Sequence, residues 1–199
     1  MTANQALTQR QTALTRAQTI VPYLTPEEVT RLVEAAGRNR QGERDELLIR
    51  LLFETGLRIS EALQITLKHL ETFEGRPVLR ILGKGKKPRL VACLEALAEG
   101  LQAYAYRHGL QSGDRAFPIN RKRGHQIVAE AGERAGLNKR VYPHLLRHSD
   151  AIERLRQTGN PKALQIHLGH ASPFMTMRDL STLTAEDALR VQQGVEFGR

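Results

Sequence analysis

The sequence predicts an α+β domain, mostly α-helical, with one small antiparallel β-sheet. Three observations carry that prediction. Apolar residues recur at helical spacing between recognisable caps, only one stretch alternates like a hairpin, and no composition break separates two cores. Residues 1–22 show no periodicity and end at Pro22, so they read as a flexible arm, with a single domain over 23–199.

Thr25-Pro26-Glu27-Glu28 is a strong helix start: Thr25 can cap, Pro26 suits the first helical position, and Glu28 can complete a capping box. Val29, Leu32, Val33 and Ala36 then share a face, and Gly37 closes the helix. A second helix is expected from about Arg44 to Thr55, with Leu47, Leu48, Leu51 and Leu52 as its buried stripe and Gly56 as its stop. A short helix follows from Arg58 through Leu63. Val78–Leu82 and Arg89–Cys93 read as strands joined by the turn Gly83-Lys84-Gly85-Lys86-Lys87. The remainder is helical: Leu94–His108, about Arg123–Ala135, His144–Gln157, Pro161–His167, Ser172 to about Leu180, and Thr184 to about Gln193.

The chain has 199 residues, with 30 Lys and Arg against 21 Asp and Glu, a net charge of +9. That excess points to a polyanionic partner, since cations set against phosphates release condensed counterions. Aromatics are 5% of residues, so the core must be aliphatic. The one cysteine, Cys93, excludes an intrachain disulfide and suits a reducing cytoplasm. No apolar run approaches the ~20 residues of a membrane span, and the Thr- and Gln-rich start lacks the apolar centre of a secretory signal.

Four short strings can carry chemistry, and each has an ordinary structural reading beside it. In Thr55-Gly56-Leu57-Arg58-Ile59-Ser60-Glu61, Arg58 after a glycine break can present a planar fork to a phosphate, or simply pair on the surface with Glu61 or Glu54. Lys84 sits in a glycine-flanked turn that could enter a groove or stay solvated. In His144-Leu145-Leu146-Arg147-His148, His144 and Arg147 share a helical face, offering a proton-transfer group and an oxyanion clamp. The spacing of His144 and His148 also admits a metal site completed by His167 or His170. However, Leu145 stands where the zinc-protease pattern needs Glu. The fourth string is Leu168-Gly169-His170, whose histidine could equally be a packed or capping residue.

Taken in order, these strings resemble the signature boxes of the tyrosine recombinases, or phage integrases. Arg58 to Lys84 and His144 to His170 each span 26 residues (84 − 58; 170 − 144), and the resemblance extends over about residues 23–195. It implies the tyrosine-recombinase catalytic core. It also implies that a tyrosine hydroxyl attacks the scissile phosphate of double-stranded DNA, forming a 3′-phosphotyrosyl link without metal, ATP or other cofactor. By the same resemblance Arg58 and Arg147 grip the non-bridging oxygens. Lys84 protonates the leaving 5′-oxygen, His144 assists proton transfer, and His170 hydrogen-bonds the phosphate. Glu61 would orient Arg58, and His148 would be structural. Lys86, Lys87, Arg89, Arg121, Lys122 and Arg123 are the candidate DNA-binding residues. Four active sites are needed to exchange two duplexes, so self-association as a synaptic tetramer on DNA is expected, from monomers in solution.

The departure is at the nucleophile. The family places its tyrosine about nine residues after the Leu-Gly-His histidine, and that position holds Asp179. The four tyrosines are Tyr23, Tyr104, Tyr106 and Tyr142, all upstream of it. A deliberate replacement, a natural loss, or a tyrosine supplied by another chain would each account for it. Retention of every other box favours an inactivated recombinase, with cleavage blocked and DNA binding kept. The alternatives are a non-catalytic regulator occupying recombination sites, a type IB topoisomerase-like enzyme, and a metal-dependent nuclease built on the histidines. Many relatives also carry a separate helical clamp domain before the catalytic one. An arm of about 22 residues could not form it, so either a minimal recombinase or a shortened chain is expected.

Overall fold

A computed structural model describes residues 22–83, 88–170, 172 and 176. The elements run α1 (Pro26–Gly37), α2 (Gly42–Thr55), α3 (Ile59–Ala62), a 3-10 turn (Leu67–His69), β1 (Leu70–Phe73), β2 (Arg76–Leu82), β3 (Pro88–Ala92), α4 (Glu95–Arg107), α5 (Arg121–Arg134), α6 (Pro143–Thr158) and α7 (Pro161–Leu168). The expected class is therefore observed, helices around one small antiparallel sheet. The expected arm and the helices at 172–180 and 184–193 fall on residues outside those described, Pro22, Ser172 and Thr176 excepted.

The capping box at the start of α1 forms as the sequence requires. Thr25 Oγ1 accepts from the Glu28 backbone N–H, and Glu28 Oε2 accepts from that of Thr25. The helix α2 begins two residues before the expected Arg44 and is more deeply buried than a single stripe. Leu47, Leu48, Ile49, Leu51 and Leu52 are all 5% exposed or less. A helix apolar on nearly every side is a central one, and α1, α4, α5 and α6 pack round it. Each of those side chains contributes about 1.5–3 kcal/mol by leaving water. The α5 helix likewise starts two residues early, at Arg121, because Asn120 caps it by accepting from the Arg123 N–H at 2.8 Å.

The sheet order is β1-β2-β3, antiparallel throughout, with Leu70 opposite Leu79 and Leu82 opposite Pro88. The sequence reading did not anticipate β1. Leu70-Glu71-Thr72-Phe73 buries neither face cleanly, so it carries no alternation. A tight Glu74-Gly75 turn, with both φ positive, joins it to β2. Beyond the main core, Ala151, Leu155, Leu164 and Leu168 form a second apolar cluster that fastens α7 to α6.

Candidate active site

Two helix ends present the site. The helix α2 stops at Gly56, whose φ of 58° is left-handed. Leu57 then plugs the core at 0% exposure, and Arg58 emerges as the residue capping α3. There Glu61 Oε2 accepts from the Arg58 backbone N–H at 2.9 Å, and Glu61 Oε1 from Arg58 Nη1 at 3.1 Å. The α7 end repeats the arrangement: Leu168 is buried, Gly169 turns left-handed with φ 64°, and His170 follows. His170 Nδ1 lies 3.0 Å from Thr176 Oγ1. In both strings the glycine ends a helix and the leucine anchors it, so the polar residue is delivered to a fixed place.

Arg147 ties the two ends together. It is 7% exposed, and its guanidinium donates to Gly56 O and, at 2.8 Å, to Leu168 O. Carbonyls at helix ends lack intrahelical partners, and a cation satisfies them well. Two of the five N–H donors an arginine carries are used in this way. Burial and the neighbouring Arg58 cation bring its pKa down to about 10, so it remains charged at neutral pH.

His144, one turn before Arg147, is held below its ordinary pKa, first by partial burial and then by Arg147, Arg58, His125 and Arg121. It is neutral at pH 7 and able to exchange a proton. Arg58, Glu61, Arg89, Gly169 and His170 line one cleft, bounded by Gly83 just after β2 and Pro88 at the start of β3. A dense set of cations with one carboxylate among them suits a phosphodiester whose charge grows during reaction.

The structure thus brings Arg58, Glu61, Arg147, His144 and His170 to one region, with His148 half-buried on the same helix as His144. Arg121 and Lys122 are exposed at the start of α5, whereas Arg123 pairs along the helix with Glu130 at 2.8 Å. Arg89 is not a solvated cation: its side chain is 12% exposed, and both Nη atoms bond Glu61. Lys84, Lys86, Lys87 and Asp179 lie outside the described residues. The histidines weighed as a metal set do not gather. His167 Nε2 sits 3.3 Å from Asp150 Oδ2. Among the described residues no three His, Cys, Asp or Glu could hold a metal ion, and no helix is long and apolar enough to cross a membrane.

Sequence reasoning missed Asp150, Arg154 and the role of His167. Asp150, 4% exposed, accepts from Arg154 Nε at 2.6 Å, and Arg154 Nη2 donates to Glu54 O. Asp150 also lies against Gly56, where an added Cβ would overlap its Oδ2 and fall 2.9 Å from Leu168 Cδ2. This cluster braces the α2 end from behind. Its one signal in the sequence was the four-residue spacing of Asp150 and Arg154.

Comparison with known proteins places the chain in a family. The chain belongs to the phage integrase family, whose profile matches residues 22–181. Among individual proteins it is similar to tyrosine recombinase XerD of Mycobacterium tuberculosis (strain CDC 1551 / Oshkosh), 34% identical over 184 residues that cover 84% of this chain and 58% of that protein. It is 31% identical to the type 1 fimbriae regulatory protein FimE of Escherichia coli (strain K12), covering 84% of this chain and 87% of that one. A solved structure of XerH site-specific recombinase, a post-cleavage complex with palindromic difH substrate, matches with a TM-score of 0.73 at 26% identity, covering 88% of this chain and 52% of that one. The chain therefore spans under two thirds of the length of the XerD relative.

Proposed function

We propose that this chain is the catalytic domain of a site-specific DNA recombinase or integrase, blocked at its nucleophile by Asp179. The observation that carries the reading is the Arg147 guanidinium, which joins the Arg58 and His170 helix ends into one cationic cleft. In this reading Arg58, Arg147 and His170 hold the scissile phosphate of double-stranded DNA, and neutral His144 is placed to take the proton of a tyrosine at position 179. Lys84, between β2 and β3 in the sequence, is the proton donor to the leaving 5′-oxygen once a tyrosine stands at position 179. Lys86, Lys87, Arg121 and Lys122 flank the duplex. No metal or cofactor takes part, the setting is the cytoplasm, and copies assemble on DNA as a synaptic tetramer.

Asp179 is chemically unsuited to the attack. Its carboxylate repels the phosphate, and the acyl phosphate it would form hydrolyses readily. Strand cleavage is therefore absent in this chain while duplex binding persists. The test is covalent-adduct formation on labelled DNA spanning the ends of the source element, with chelator present. An SDS-resistant adduct from Asp179→Tyr alone is the expected result. An adduct from the unaltered chain contradicts the block. If neither chain forms an adduct although both bind the DNA, the reading yields to a non-catalytic regulator, which Asp179 itself favours.

A further inference from the structure

We propose that Arg89 is a positioning residue of this phosphate site, holding Glu61 so that Arg58 is oriented, and backing the Gly169 turn that carries His170. The inference rests on the function proposed above and adds a residue to its site.

The Glu61 carboxylate is shared evenly. Oε1 accepts from Arg58 Nη1 at 3.1 Å and from Arg89 Nη1 at 3.0 Å. Oε2 accepts from the Arg58 backbone N–H and from Arg89 Nη2, each at 2.9 Å. Arg89 therefore makes the two-pronged contact, which fixes the plane of the carboxylate, while Arg58 engages it with one side-chain nitrogen. Exposure separates the two arginines. The Arg58 side chain is 29% exposed, against 12% for Arg89 and 9% for Glu61. Arg58 thus faces the cleft, and Arg89 is its buried support.

Charge points the same way. A lone carboxylate beside Arg58 would cancel its attraction for phosphate. With Arg89 included, the trio carries a net +1. Burial pushes the Glu61 carboxyl up, but hydrogen bonds from Arg89 and the Arg58 backbone, with both cations, outweigh it and hold the pKa below its ordinary value. On its other side Arg89 lies beneath Gly169, where an added Cβ would fall 3.0 Å from its Cδ and Nε and 3.2 Å from its Cζ. The Nε is buried without a hydrogen-bond partner among the described residues, consistent with a guanidinium placed by its contacts with Glu61 and the turn. The glycine before His170 is thus required twice, by its φ of 64° and by this approach.

Arginine side-chain NMR on the full chain tests this, with the Arg58 signals assigned through Arg58→Lys. In the unaltered chain Arg58 should show resolved Nη resonances, the mark of hindered guanidinium rotation; a single averaged signal there overturns the proposal. In Arg89→Lys, which keeps the charge but cannot make the two-pronged contact, the Arg58 resonances should merge, and affinity for a short mixed-sequence duplex should fall about tenfold. Unchanged Arg58 resonances in that variant show that the backbone bond alone holds Glu61 and also overturn it. Glu61→Gln should merge the Arg58 resonances from the other side, and Arg89→Lys added to it should cost no further affinity. An additive loss makes Arg89 a separate DNA contact and contradicts the positioning role. Adding duplex to the unaltered chain should shift the Arg58 signals. Failure of that step alone removes the DNA reading and leaves the Arg89–Arg58 coupling standing.

Discussion

Glu61 and Asp150 are both acids with little-exposed side chains paired to arginines, yet their clusters face different ways. Around Glu61 it is Arg58 that is left facing the cleft, with Arg89 buried behind it. Around Asp150 the cations are turned inward: Arg154 to Glu54 O and Arg147 to Gly56 O and Leu168 O. One cluster is arranged to meet a ligand, and the other to hold the helix ends that deliver it. The same residue types therefore serve binding or bracing according to where their remaining hydrogens point. Arg147, with two donors on the helix-end carbonyls, connects the two.

That contrast predicts an order of effects. The largest should come from Gly56→Ala. It places a methyl on Asp150 Oδ2 at a left-handed φ, costing about 3 kcal/mol. Gly169→Ala should cost about 2 kcal/mol, since its neighbour is the flexible Arg89 side chain, but should weaken duplex binding more. Chemical denaturation and anisotropy measure the two columns of this comparison, and a Gly169→Ala protein less stable than Gly56→Ala would reverse it.

Next is Asp150→Asn, which leaves Arg154 and His167 without their anion. A loss of about 2 kcal/mol is expected, with duplex affinity little changed in binding titrations. A loss of affinity without a loss of stability would make Asp150 part of the binding surface.

Smallest in stability is Glu61→Gln, at about 1 kcal/mol near neutral pH. Because the Glu61 pKa is lowered on folding, its contribution is complete above the ordinary value of 4.5 and is lost as pH falls through the lower folded value. The stability gap between the two proteins should therefore close below about pH 4.5 in acid melts. A gap that widens there would mean that Glu61 is not held as an anion.

The parts of the molecule legible in the sequence are those where one local rule decides. Thr25-Pro26-Glu28 announces α1 because the cap contacts lie within four residues, and Gly56 and Gly169 announce helix ends because few other residues tolerate the conformation. The Arg58 and His170 strings were readable in position for the same reason, as each is a helix end followed by its polar residue. The β1 strand was not readable, since it has no clean face and is defined by pairing to β2. Arg89 was recognised only as a surface cation. Its partner Glu61 is 28 residues away, and nothing local marks the pairing. Asp150 escaped notice because a buried acid is intelligible only once Gly56, Arg154 and His167 surround it.

The most direct measurement is the salt dependence of duplex binding by the unaltered chain and by Arg58→Ala. If the cleft holds a DNA phosphate, removing Arg58 should weaken binding about tenfold and flatten the slope of log K against log salt by about 1. An Arg58→Ala protein with the same affinity and the same slope would mean that the duplex lies elsewhere on the molecule.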